Sequence, residues 1–369
     1  MDVEQNGMHV HNGGHVHEVI YHDHRLPQRR RTGITKCFCQ TLYLVRYFPF
    51  VMISLLFLWG VYVYLFYIIY QGYQSVLLKI ILMLFFVPLY TLSGWSYIQT
   101  VFTTNRSIPD EFSIPESINL NLITEDEINH SLEYVVMNRN LPIYTRNFNG
   151  HIRYCRKCLV IKPDRCHHCS TCGKCIRKMD HHCHWVSNCV AFDNYKYFLQ
   201  FLTYTVLLAV YTSATSLKLF IKFWKEEEYP GRFQIFFLVV FCSVFSVSIL
   251  FLLSYHIYLV LKNMSTLEAY QPPRFKNVEQ DQYRFNLGAY HNFRAIFGDN
   301  KWLWFVPISS SFGDGLQFDL RLNTSQFDKG NNLIHDANNY GHNHNSNGVN
   351  DGSSIMTDSN AQYYNQQDV

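Results

Sequence analysis

Four apolar stretches, near residues 48–70, 76–102, 197–221 and 233–261, constrain this chain more than any other feature of it. Each is long enough to cross a hydrocarbon core, which takes about 20 predominantly apolar residues. The first, FPFVMISLLFLWGVYVYLFYIIY, carries no charge; the second holds Lys79 near its entry, where a long side chain can reach the interface. A soluble protein can bury one such run as a core helix, but not four in 369 residues. The chain therefore reads as an α-helical integral membrane protein with four transmembrane helices and the lipid bilayer as its solvent. Mean hydropathy, at −0.09, hides this because polar ends dilute the apolar runs. Charged residues make up only 16% of the chain, against ~25% in ordinary globular proteins. A net charge of +3, from 31 basic and 28 acidic residues, gives no bulk field for a nucleic-acid partner, and none is expected.

Orientation follows from the placement of Lys and Arg. Arg25, Arg29, Arg30, Arg31, Lys36 and Arg46 precede the first span, and the short turn after it has none. The segment 103–196, between the second and third spans, holds twelve more. This puts both termini and the middle segment in the cytosol. The last short loop dissents, with Lys218, Lys222, Lys225 and Arg232 on the opposite side. Residues 1–40 are polar and His-rich, so no cleavable signal peptide is expected and the first span serves as the signal. Both ends are too polar to bury enough apolar surface to offset chain entropy, and they read as disordered. The N-terminal His tract could hold metal loosely, but a solvated tail is the simpler reading.

The chemistry concentrates in one 35-residue stretch, CRKCLVIKPDRCHHCSTCGKCIRKMDHHCHWVSNC. Seven Cys there have zinc-type or reactive spacing, and Cys166 lies among them. In a reducing cytosol, C-x-x-C pairs such as Cys155/Cys158, Cys169/Cys172 and Cys172/Cys175 read as metal sites rather than disulfides. Two tetrahedral zinc ions need eight ligands. Cys155, Cys158, Cys169, Cys172, Cys175 and Cys189 with two of the nearby imidazoles supply that number. Cys183 is then left over, directly after Asp180-His181-His182. A neighbouring imidazole can take a thiol proton and a carboxylate can orient that imidazole, so a nucleophile fits. A ninth potential ligand in a purely structural zinc module fits equally well on spacing alone.

The run DHHC at 180–183, inside a Cys-rich segment between the second and third of four spans, resembles the DHHC protein S-acyltransferases. LPIYT at 141–145, IRYC, IKPDR, HHCS, CIRKMDHHC, NYK and SYH are similar to members of that family. STLE at 265–268 resembles its TTxE motif, the run from Asn292 to Asp299 its Asn-containing motif, and WFVPISSSFGDG the tail of a Golgi and plasma-membrane subgroup. The resemblance covers about 40–322. It divides the chain into a disordered His-rich cytosolic tail with a basic juxtamembrane end (1–47), a first helix pair (48–102), a cytosolic segment with its Cys-rich domain at about 141–196 (103–196), a second helix pair (197–261), a cytosolic C-terminal domain (262–322) and a disordered Asn/His-rich tail (323–369).

The resemblance also implies residue roles. One zinc would take Cys155, Cys158, His168 and Cys175, the other Cys169, Cys172, His182 and Cys189; sequence alone does not separate His181 from His182. Cys183 would attack the thioester of palmitoyl-CoA, with His181 as base and Asp180 as its partner, and pass the acyl group to membrane-proximal cysteines of protein substrates. Arg153, Lys162 and His167 fall where the family meets CoA phosphates, Gly60 and Leu208 where it closes the acyl cavity, and Thr266, Glu268 and Asn292 at supporting positions. A solvated basic face explains the first three equally well. Leu208 lies about 12 residues into its helix, roughly 18 Å deep. The compartment implied is Golgi or plasma membrane, with the endoplasmic reticulum a further option. Cys37 and Cys39, beside the first span, suit S-acylation or stay plain thiols. Four departures stand out, one of them Ser265 in place of the first Thr of TTxE. His184 replaces a usual Pro, Ser187 a common Asn, and Ala191 a common Gly, so Ala191 would be strained if that position needs φ > 0. The runner-up function is a membrane-anchored zinc scaffold without acyl chemistry; a metal transporter, the third class, lacks paired acidic or His residues in its spans.

Overall fold

The structure, a computed structural model, describes residues 33–225, 231–276 and 285–321. The remainder of both tails lies outside the described residues, as do the side chains of Cys37 and Cys39. Helix α1 (Gly33–Val63) runs on into a wider π-helical segment, Tyr64–Gly72, and α2 (Val76–Phe102) returns antiparallel to it. Helix α3 (Glu125–Asn138) belongs to the middle segment, and α4 (Tyr195–Lys225) and α5 (Arg232–Lys262) form the second pair. Tyr47–Gly72, Val76–Phe102, Tyr195–Lys222 and Arg232–Lys262 are long and apolar enough to span a bilayer. Helix α1 starts well before the span expected at 48, so residues 33–47 are helical and not part of a disordered tail. No Gly or Pro interrupts 34–48, so nothing in that stretch stops the helix.

Within the bundle, α4 packs along both α2 and α5, while α1 touches α5 only lightly. Hydroxyls join the helices where no water is present to satisfy them. Ser93 and Thr205 lie 2.8 Å apart, and the Tyr211 hydroxyl donates to Leu82 O at 2.7 Å. Gly231 opens α5 with φ +72, and a Cβ there would fall 2.0 Å from the Tyr67 ring, so glycine serves both the turn and the close approach.

The middle segment is built from short antiparallel hairpins over a small core that α3 closes. Thr124 and Glu127 cap the start of α3 reciprocally. Strands β2 (Tyr154–Cys155) and β3 (Val160–Ile161) pair, as do β4 (His167–Cys169) with β5 (Lys174–Ile176) and β6 (His181–Cys183) with β7 (Asn188–Val190). Strand β1 (Thr145–Arg146) pairs with β8 (Arg274–Phe275), which ties the start of the hairpin array to the segment after α5.

Helix C-termini leave carbonyls without intrahelical partners, and those of α2 and α5 are satisfied by side chains from outside the four spans. Asn188 donates to the carbonyls of Thr100, Val101 and Thr103 at 3.2, 3.1 and 2.9 Å, and Asn194 adds a bond to Thr100 O at 3.1 Å. Asn292, on α7 (Ala289–Phe297), donates to Leu261 O at 2.8 Å. Arg165 donates to Asn263 O at 2.7 Å, while its guanidinium makes a bidentate pair with Glu268 on α6 (Thr266–Tyr270) at 2.8 and 2.7 Å. Both side chains of that pair are almost fully buried, so losing one partner costs about 3–5 kcal/mol. The hairpins are thereby fixed to the ends of two membrane helices, and the segment after α5 is locked onto them. The C-terminal stretch lies along the first turns of α4: Lys196 donates to Leu303 O and Ile308 O at 2.7 Å, and the Tyr204 hydroxyl to Phe305 O at 2.6 Å.

Candidate active site and metal quartets

Two quartets of sulfur and imidazole ligands form from the hairpins. Cys155, Cys158, His168 and Cys175 converge in one, and Cys169, Cys172, His182 and Cys189 in the other. Each combines a C-x-x-C knuckle from one hairpin with a cross-strand pair from the next. His168 is opposite Cys175 in β4–β5, and His182 is opposite Cys189 in β6–β7. Hairpin β4–β5 serves both, its cross-strand pair facing one quartet and its knuckle the other. In the first quartet the sulfurs of Cys158, Cys155 and Cys175 lie 3.2, 3.5 and 3.9 Å from His168 Nδ1. In the second, those of Cys172, Cys189 and Cys169 lie 3.5, 3.5 and 3.6 Å from His182 Nδ1. Either set can hold one metal ion. Cys166, unassigned from sequence, is fully buried beside the first quartet and hydrogen-bonds Cys175.

Strand alternation separates the two histidines. On β6, His182 faces its metal quartet, so His181 and Cys183 share the opposite face. There His181 Nδ1 lies 2.7 Å from Asp180 Oδ2, and His181 also hydrogen-bonds Cys183. Thr266 holds the same carboxylate, its hydroxyl donating to Oδ2 at 2.7 Å and its backbone N–H to Oδ1 at 2.9 Å. Glu268, two residues on, closes a capping box with Ser265 as well as pairing with Arg165.

Charges in this site support one another. Burial opposes ionisation of His181, but the bonds to Asp180 and Cys183 outweigh it and lift the imidazole to about 9. Burial likewise opposes the Cys183 thiolate, yet His181 and the backbone N–H groups of Val186 and Trp185 pull its pKa below the ordinary thiol value. Asp180 is held below the usual carboxylate range despite burial, through His181, His256 and Thr266. The arrangement favours charge on all three groups: Asp180 and His181 support one another, and His181 in turn favours the thiolate form of Cys183.

Cys183 also lines an apolar cavity of about 700 Å³ between the helices. The cavity runs from His181–Val186 past Phe57, Phe198 and Leu202 to Gly60, Leu208 and Thr212, in the space left where α1 stands off from α5. A Cβ on Gly60 would meet only Leu238, at 3.8 Å. The Tyr97 hydroxyl donates to Trp185 O at 3.0 Å, a contact that no motif in the sequence signals.

Arg153, Lys162 and His167 gather at the β2–β3 and β4–β5 hairpins, where Lys162 N bonds Arg153 O at 2.8 Å. Arg153 donates to Cys166 O at 2.6 Å and to Thr145 Oγ1 at 3.3 Å. Burial, and then the charge of Arg153, push His167 down to about 3, so it presents a neutral imidazole.

The expected strain at Ala191 does not occur, because Ala191 is not among the residues with positive φ. The left-handed position is Ser187, with φ 50, four residues earlier, at the end of the His184–Val186 turn. Asn tolerates that region better than Ser does.

Residues 149–272 match the family model described as DHHC palmitoyltransferase. Among curated proteins, the chain is 42% identical to palmitoyltransferase ZDHHC2 of Danio rerio over 73% of its own length and 75% of that protein. It is 41% identical to palmitoyltransferase ZDHHC20-A of Danio rerio over 77% of this chain and 80% of the relative. Against palmitoyltransferase ZDHHC15 of Rattus norvegicus, identity is 39%, covering 75% and 83%.

Proposed function

The chain belongs to the DHHC palmitoyltransferase family, and from that premise we propose how its residues carry out protein S-palmitoylation. The observation that carries the proposal is the surplus thiol: Cys183 stands outside both metal quartets, beside His181, and lines an apolar cavity.

The fatty acyl chain of palmitoyl-CoA occupies the cavity, and the CoA remains on the cytosolic side near Arg153, Lys162 and His167. Cys183 thiolate attacks the thioester carbonyl carbon; the bond to the CoA sulfur breaks, and the departing thiolate takes the proton held on His181. An acceptor thiol of a membrane-proximal cysteine in a protein substrate then gives its proton to His181 and attacks the acyl-enzyme. Cys183 leaves as thiolate, and the resting pair is restored. Each step exchanges one thioester for another, so little free energy separates them. Asp180, fixed by Thr266, keeps Nδ1 of His181 protonated and its other nitrogen toward Cys183.

Zinc is the metal we assign to both quartets. Bonds of about 2.3 Å to sulfur and 2.1 Å to nitrogen give tetrahedral edges of about 3.6–3.8 Å, close to the spacings found. Bound there, zinc would supply structural cross-links, Cys155, Cys158, His168 and Cys175 joining β2–β3 to β4–β5, and Cys169, Cys172, His182 and Cys189 joining β4–β5 to β6–β7. Both termini are placed in the cytosol from the Lys and Arg distribution, and the Golgi or plasma membrane from the WFVPISSSFGDG resemblance.

The test is Cys183→Ser in purified protein offered an alkyne-tagged palmitoyl-CoA. Loss of the hydroxylamine-labile acyl-enzyme with two zinc ions per chain retained is the expected result. Retained labelling, or loss of zinc, would overturn the role given to Cys183.

A further inference from the structure

His256 belongs to neither metal quartet and is not part of the Asp180–His181–Cys183 series, although it acts on Asp180. It lies on α5, 1% exposed, and one of its ring nitrogens comes within 4.8 Å of ligand atoms of both Asp180 and His181. The Tyr195 hydroxyl is 3.1 Å from His256 Nδ1, and the ring of Phe198 packs against it edge-on. A polar ring shut inside a membrane helix is costly unless it serves a partner. Metal binding by Asp180, His181 and His256 is disfavoured by what those atoms already do. Asp180 Oδ2 accepts from Thr266 and pairs with His181, Oδ1 accepts from Thr266 N, and His256 Nδ1 is engaged by Tyr195.

We propose that His256 is a positioning residue for acyl transfer: oriented by Tyr195, it turns an N–H toward the Asp180 carboxylate and so fixes the aim of His181 on Cys183. With Tyr195 donating to Nδ1, the ring proton sits on Nε2, and the carboxylate beside it favours that tautomer over the reverse. Asp180 is 2% exposed, so a dipole within 4.8 Å acts on it with little screening. Thr266 grips the carboxylate from α6, and His256 faces it from α5 within 4.8 Å, so both sides of the carboxylate are occupied. The inference rests on the reading of Asp180 and His181 as the pair that serves Cys183.

The experiment measures single-turnover acyl-enzyme formation, half-saturating acyl-CoA concentration and zinc content for wild type, His181→Ala, His256→Leu, His256→Gln and Tyr195→Phe. His256→Leu should slow acylation by about 10- to 100-fold, the loss expected of one polar contact to a buried charge. Half-saturation should stay within about two-fold and zinc at two per chain, since the variant touches neither the cavity wall nor a ligand. His256→Gln, which restores an N–H, should recover most of that rate, and Tyr195→Phe should fall between. A wild-type rate in His256→Leu while His181→Ala is slow overturns the role of His256 alone. Equal loss in the Leu and Gln variants assigns His256 to packing, and a third metal ion lost in His256→Leu makes the cluster a metal site; either result overturns it. A wild-type rate in His181→Ala overturns the underlying reading instead.

Discussion

Replacing Thr266 by Val removes one hydrogen bond and little else. The two side chains have nearly the same shape, and the bond from Thr266 N to Asp180 Oδ1, 2.9 Å, survives. The capping box of Ser265 and Glu268 that starts α6 does not use the hydroxyl. What goes is the 2.7 Å bond from Oγ1 to Oδ2, the oxygen that also holds His181. Asp180 is 2% exposed, so water does not replace the lost donor. A hydrogen bond to a buried charge contributes about 1.5–3 kcal/mol, and stability should fall by that order. The rate is subject to two opposed effects. Losing a donor makes Oδ2 more basic, which strengthens its attraction for His181, but it also lets the carboxylate rotate. Positioning should win, because a shift of about 1 Å at a reacting group costs about 100-fold. Acyl-enzyme formation should therefore slow by about 10- to 100-fold, with two zinc ions retained. Thr266→Ser keeps the hydroxyl and should stay within about three-fold of wild type. The assay is single-turnover labelling with alkyne palmitoyl-CoA, alongside thermal unfolding and metal analysis. A Val variant with wild-type rate and unchanged unfolding temperature would refute the claim that Thr266 holds Asp180.

His182→Ala should lose one zinc and unfold at lower temperature, whereas His181→Ala should keep both ions and acylate slowly, and metal analysis of the pair reads the difference. If the first keeps two ions and the second loses one, their assignment is reversed. Gly60→Phe should fill the far end of the cavity and shift preference from palmitoyl and stearoyl toward myristoyl chains, because overpacking a close-fitting wall is costly. Competition between acyl-CoAs of different length, read as acyl-enzyme mass, checks it; an unaltered product ratio would place Gly60 outside the selective wall. Ser187→Asn should raise stability by about 0.5 kcal/mol through relief at the left-handed position, measured by thermal unfolding. No gain there would mean that Ser187 has its own compensation.

The sequence by itself determined the membrane class and the number of spans, because 20-residue apolar runs have few other solutions in water. It also pointed to a metal-binding module between the second and third spans, because three C-x-x-C pairs with nearby imidazoles match tetrahedral zinc spacing. It placed the first span near 48, where the structure has Tyr47, but did not show that α1 extends back to Gly33, since nothing in 34–48 marks where a helix leaves the bilayer. The tertiary structure decided what depends on directions rather than order. His181 and His182 are neighbours of the same chemical type, and only the alternation of β6 sends one toward a thiol and the other into a metal quartet. Arg165 and Glu268 are 103 positions apart, and Asp180 and Thr266 are 86 apart, so their pairing appears only when the segment after α5 folds back onto the hairpins. His256 carried no role in the sequence beyond its place in SYH, because what makes it polar company for Asp180 is the packing of α5 against α4. The cavity is a property of four helices together, formed where α1 stands away from α5, and no single stretch of residues encodes it. Local pattern sets what an element is made of; which side chains meet is set by the closure of elements distant in the chain.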